Sequence, residues 1–214
     1  MVPVIFFAII AGFIIFKLVE ILGKEEGDEQ EKILNLIKES AKSYTKEAQT
    51  VDFEVLTANE ANLSEDIREV FSKFKSKEKN LSVDNFLDGT KKAFELILQA
   101  FNSNNKKDLK NLLAENLYKD FSQEIDNRKD SKLIHQVTLV SIANVKILEA
   151  SFEKNSIATV KVRIHSEQIK VVKNTEDEIL DGNIHKILKF SDVWVFKKIL
   201  NEDSYWRLVE TYSE

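Results

Sequence analysis

Three histidines and one oddly placed carboxylate are the side chains of this sequence with the most chemistry to offer. His135, His165 and His185 stand far apart, with no H-x-H or H-x-x-x-H spacing, so they do not read as a metal site. His165 and His185 fall on the polar phase of alternating segments, where a solvated imidazole is expected. Asp192 is in phase with Phe190, Trp194 and Phe196. Enclosed among those rings, its pKa would rise and it would serve as a general acid or base. The plainer reading pairs it with a nearby cation, Arg163 or Arg207 being the named candidates. The chain has no cysteine, which removes thiolate ligands, disulfides and cysteine nucleophiles. No G-x-S-x-G, phosphate-loop or dinucleotide fingerprint occurs. The expectation is a protein with no catalytic residues, no metal and no cofactor.

The elements that must position these residues are helices first and strands after. Ile67, Val70, Phe71 and Phe74 follow helical spacing from about Asn62 or Ser64. Lys73, Lys75, Lys77 and Lys79 crowd the end of that helix, favourably for its dipole. Packing on the domain is the first reading of this helix; Phe71, Lys73, Phe74, Lys75 and Lys77 lying on an anionic lipid surface is the alternative. Ser82 reads as an N-cap, and Phe86, Thr90, Ala93, Phe94, Ile97, Leu98 and Phe101 line one face of a long helix after it. Leu109, Leu112 and Leu113 mark a short helix, and Leu117, Tyr118, Phe121 and Ile125 another.

After Lys132 the period changes to alternation. A first strand spans about 136–152, too long to be straight. In a second, Ala158, Val160, Val162 and Ile164 alternate with polar residues. A third has Ile184, Leu188, Phe190, Trp194 and Phe196 on one face, and a fourth holds residues 205–209. This order predicts an α+β fold, with a curved antiparallel sheet around one long helix.

Ahead of the domain, Val2 to Leu22 is almost wholly apolar and spans roughly 30 Å as a helix, the thickness of a bilayer core. Its eleven Val, Ile or Phe side chains before Lys17 favour insertion by about 3–7 kcal/mol. Lys17 lies near one end and can snorkel. Neither a basic start nor a small-residue cleavage site is present, so residues 1–23 read as an uncleaved transmembrane anchor, with Val4, Phe7, Ile10, Phe13 and Phe16 in its core. Residues 24–81 read as a polar spacer with amphipathic helices, and 82–214 as the domain. Lys17 and Lys24 follow the span while nothing basic precedes it, which predicts a cytoplasmic domain. A net charge of −5 argues against nucleic acid as a partner.

An ordered set of short matches resembles one known family. Phe86-Leu87-Asp88-Gly89-Thr90, Ala93-Phe94 and Ala100-Phe101 are similar to the F-L-x-G-A…A-F…A-F opening of the C-terminal domain of the mitochondrial import inner membrane translocase subunit 44 family. Leu109 with Leu112-Leu113, Tyr118 with Phe121, Ile125 with Arg128, Ala158 with Val160 and Val162-Arg163, Asp181-Gly182, Asp192-x-Trp194-x-Phe196 and Trp206-Arg207-Leu208 with Thr211 follow in order. Thr90 stands where that family usually has Ala, and no Thr follows Trp194. Phe16 to Lys24 is similar to the anchor end of the bacterial membrane-bound branch.

The resemblance implies a cone of the nuclear transport factor 2-like or cystatin-like kind. It also implies a bacterial inner-membrane adaptor in protein translocation or membrane-protein handling, whose partners are the membrane and a translocon, chaperone or client protein. The concave side, with Phe190, Trp194, Phe196 and Trp206, would offer the partner an apolar groove. An anionic-lipid-binding module and an isomerase-like or small-molecule-binding cone are the alternatives.

Overall fold

A computed structural model describes residues 63–153, 156–200 and 204–213. The expected anchor, with Val4, Phe7, Ile10, Phe13 and Phe16, and the spacer up to residue 62 lie outside the described residues. No helix among the described residues is long and apolar enough to cross a membrane.

Among the described residues four helices precede five strands, in the order expected for an α+β chain. They are α1 (Glu65–Lys77), α2 (Val83–Asn102), α3 (Lys106–Leu112), α4 (Glu115–Ser131), β1 (Ile134–Glu153), β2 (Ile157–Lys173), β3 (Ile179–Gly182), β4 (Leu188–Ile199) and β5 (Arg207–Ser213). Ser82 caps α2, its Oγ accepting the Asn85 backbone N–H at 3.1 Å. Buried Phe86, Thr90, Phe94, Ile97, Leu98 and Phe101 then recur at helical spacing along the side of α2 that packs into the core.

The sheet is antiparallel throughout, in the order β1-β2-β4-β5, with β3 pairing β2 beyond the start of β4. β2 alternates between half-buried and fully buried side chains from Ile157 to Gln168. Three register shifts in β1, at Leu139/Ser141, Ile142/Asn144 and Ile147/Glu149, let a twenty-residue strand bend around the helices. Two details differ from expectation. Ile184 lies in the exposed turn before β4 rather than on its inner face, and β3 is an additional strand.

Cross-strand rows such as Val145–Ile164–Asp192 and Ile147–Val162–Trp194–Thr211 define the inner face of the sheet. α2 lies against this face, with Phe94 against Trp194 and Phe86 against Phe196. α1 packs on the same core through Ile67, Phe71 and Phe74, which carries the folded unit upstream of residue 82. A salt bridge of 2.6 Å from Lys198 on β4 to Glu78, the C-cap of α1, fixes that helix to the sheet.

Candidate functional site

At the end of the sheet where β4 begins, the inner face changes from apolar to polar. The buried phase of β2 runs Ala158, Val160, Val162, Ile164 and then continues as Ser166 and Gln168, with half-buried Lys170 next along the strand. On β4 the corresponding residues are Phe190 and Asp192. Arg128 reaches the same place from the last turns of α4, one helical step beyond buried Ile125. Phe94, Leu98, Phe101 and Asn102 of α2 and Val137 of β1 complete the wall of a small cavity of about 30 Å3.

Most of the polar groups here are engaged. Asn102 Nδ2 donates to the Val137 carbonyl at 2.6 Å, and the Val137 N–H donates to Asn102 Oδ1 at 3.2 Å, tying the end of α2 to β1. Gln168 Nε2 donates to Ser166 Oγ at 2.8 Å. Arg128 Nε donates to Glu124 Oε1 at 3.0 Å, and its guanidinium lies 3.9 Å from the centre of the Phe101 ring. The ammonium of Lys170 sits 3.8 Å from the centre of the Phe190 ring.

Desolvation dominates the electrostatics. Burial lowers the pKa of Lys170 to about 8; Asp192 opposes that shift and Arg128 adds to it. Burial also lowers Arg128, against the pull of Glu124. His135, in one cross-strand row with Val172 and Asp181, is held at about 4 by burial first and by Arg128 second, with Asp181 opposing. It is therefore neutral at pH 7.

The residues singled out from sequence fall in different places. Asp192 is 4% exposed and shares the inner face with Phe190, Trp194 and Phe196. The register puts Arg163 and Arg207 on the outer face, and the charges that line the cavity beside Asp192 are Lys170 and Arg128. Trp194 and Phe196 are 0% and 2% exposed, inside the core against Phe94 and Phe86. Trp206 packs on Phe74 and Phe86, and both it and Phe190 stand partly open. Thus the concave side is occupied by α2 where the sequence suggested an open apolar groove. On α1, Phe71 and Phe74 are buried while Lys73, Lys75 and Lys77 are exposed, Lys73 paired with Glu69 at 2.7 Å. His165 is on the outer face and His185 is exposed in the turn before β4. Among the described residues no group of His, Asp or Glu is placed to hold a metal ion.

Sequence reasoning passed over Lys170 and gave Arg128 no role. The signal for Lys170 was its position just past the buried alternation, which ends at Gln168.

A family model, the Tim44-like domain, matches residues 67–213, so the matched stretch takes in most of α1 as well as the sheet. The chain belongs to the Tim44-like domain family. That membership relates it to membrane-associated translocation proteins. No curated protein matches the chain. Among solved structures, the crystal structure of the intermembrane space region of chloroplast protein ARC6 is similar, with 8% identity and a TM-score of 0.42, covering 59% of this chain and 95% of that one. Within this Tim44-like domain, the motif residues Phe94, Phe101, Trp194 and Phe196 serve as core, and Arg128 and Asp192 line the polar pocket.

Proposed function

We propose that this protein is a single-pass membrane adaptor in protein translocation or membrane-protein handling, whose Tim44-like domain engages a partner or client protein. The observation that carries this reading is the family match over residues 67–213. The apolar run from Val2 to Leu22 supports the anchor. Lys17 near the end of that run and Lys24 after it support a bacterial inner membrane protein with its domain in the cytoplasm. The role is non-enzymatic and needs no cofactor. Burial of Phe71 and Phe74 leaves α1 without a spare apolar face for acyl chains, which favours a protein partner over a lipid surface.

Because Trp194 and Phe196 belong to the core, contact with a partner is proposed at the end of the sheet beside the polar pocket. There Ile134 is 49% exposed and Ile187 51%, and Ile179 and Ile184 are exposed as well. The test is photo-crosslinking in native membranes from a probe replacing Ile187, with the captured material identified by mass spectrometry. A translocon subunit, chaperone or nascent chain is the expected product. Capture of lipid alone would overturn the proposal.

A further inference from the structure

We infer that residues 51–55 of this chain, Val51-Asp52-Phe53-Glu54-Val55, dock as an extended segment in a groove on the outer face of the sheet. The groove measures about 500 Å3, and Ser64 and Asp66 from the start of α1 line it together with Leu148, Thr159, Val195 and Tyr212. On β4, Asp192 to Phe196 are buried without a break. A strand with one face in water alternates, as β2 does, whereas an unbroken buried run belongs to a strand covered on both faces. Trp194 and Phe196 face α2. Val193 and Val195 point the other way, in cross-strand rows with Arg163 and Tyr212 and with Lys161 and Glu210, and are 0% and 8% exposed. Thr159 Oγ1, in the groove wall, is shielded from solvent and has no hydrogen-bond partner among the described residues. A main-chain group passing beside it would supply one.

The point where the chain enters the domain names the occupant. Residues 1–62 lie outside the described ones, and Ser64, two positions further on, already lines the groove. Val55 is nine residues before Ser64, a reach of up to about 30 Å, against roughly 14 Å from β1 to β5 across the sheet. Val51, Phe53 and Val55 alternate with Asp52 and Glu54, so an extended segment has one apolar side for Leu148 and Val195 and one acidic side. A pocket of ~300–1,000 Å3 takes a ligand of several side chains, and one phenylalanine with two valines is such a load.

Charge agrees. The three cross-strand rows around the groove carry Lys146, Lys161, Arg163, Lys197 and Arg207 against Glu149 and Glu210, and Asp66 adds a third carboxylate. This face is therefore basic in a chain of net charge −5. Residues 50–62 hold Asp52, Glu54 and Glu60 and no Lys or Arg. Lys146 and Lys197 are exposed, and their long stems can rise past a docked segment to meet its acidic side. A tethered segment also meets the groove at an effective concentration of about millimolar, which favours it over a second copy or another protein. Docking leaves only residues 24–50 as free tether between the expected anchor and the domain. It is independent of the adaptor reading, whose partner contact is proposed near Ile187, at the other end of β4.

The chain has no cysteine, so single cysteines placed in the full-length protein in detergent micelles each report on one position. Maleimide labelling should be about tenfold or more slower at Val51→Cys and Val55→Cys, which leave the Phe53 ring in place, than at Asp52→Cys and Glu54→Cys, because reaction at the inward positions requires local opening. Adding Leu148→Lys, at a half-buried wall residue, should bring position 55 to within about twofold of position 54, with far-UV circular dichroism showing that the variant still folds. A short flexible bismaleimide should join Val55→Cys to Leu148→Cys within one chain, and should not join Val55→Cys to Ile187→Cys. Equally fast labelling at all four positions would overturn the inference, as would slow labelling that Leu148→Lys leaves unchanged in a folded variant. Cross-links between two chains, or protection that fades on dilution, would assign the groove to a second copy and overturn it as well.

Discussion

Phe94 on α2 lies against Trp194 on β4, ring centroids 4.8 Å apart, with the indole wholly removed from solvent. Phe86 repeats the contact two turns earlier against Phe196, at 6.1 Å. This pair of contacts sets the helix along the inner face of the sheet and closes it to any partner. The cone is thus a packed core for most of its length and turns polar only beyond Trp194, where Asp192 and Lys170 begin.

Phe94→Ala should therefore cost about 3–5 kcal/mol, the range for truncating a fully buried aromatic ring. Urea unfolding of the full-length chain, followed by far-UV circular dichroism, measures it. A loss below about 1 kcal/mol would mean that the ring is not a core contact and that the inner face is open after all.

Much of this fold was legible because its signals are local. Ser82 stands three residues before the Asn85 N–H that it caps, and the alternation of β2 from Ile157 to Gln168 is written in neighbouring residues. The bend of β1 followed from its length. What covers a face is not local. Trp194, Phe196 and Asp192 were correctly placed on one side of a strand, but the covering residue, Phe94, lies a hundred positions upstream and no periodicity connects the two. β3 was missed because Ile179–Gly182 is too short to alternate. Lys170 was missed because its charge suggested solvent, whereas its ammonium folds back onto the Phe190 ring and is half-buried.

Gly182 closes β3 against β2 with φ at +85°, and an added Cβ would run into the carbonyl oxygen of Lys170. Both the left-handed backbone and the close approach exclude a side chain. Gly182→Ala should destabilise the protein by about 2–4 kcal/mol, combining backbone strain with overpacking against main chain that cannot rotate away. Denaturant midpoints measure the effect. A change within about 0.5 kcal/mol would mean that β3 detaches at little cost and is not part of the cooperative unit.

Glu78 and Lys198 join elements 120 residues apart, with side chains only 24% and 14% exposed. Partial burial makes the pair stronger than a surface bridge and leaves each partner costly to strand alone. A double-mutant cycle with Glu78→Gln and Lys198→Met should give a coupling of about 1–2 kcal/mol. A coupling under about 0.3 kcal/mol would make the contact incidental, and α1 would then be held by Phe71 and Phe74 without it.

His135 should make stability depend on pH in a window of its own. Its folded pKa is lowered to about 4, by burial first and by Arg128 second, with Asp181 opposing, against 6.5 for the unfolded residue. Between these values the unfolded chain binds a proton that the folded chain refuses, so stability rises with pH there. Acidification from pH 6.5 towards 4 should therefore progressively destabilise the protein, and below both values the contribution of this residue is lost in full and changes no further. Other carboxylates titrate at the acid end of the same range, so the informative quantity is the difference between the parent and His135→Asn. That variant should show a flatter dependence between pH 6.5 and 5, where the carboxylates are still ionised. Imidazole NMR provides the direct check: of the three histidines, one signal should titrate near pH 4 and disappear in the variant. A His135 signal titrating near 6.5 would show that the polar end of the cone is open to water, and the closed pocket between Arg128 and Lys170 would fall with it.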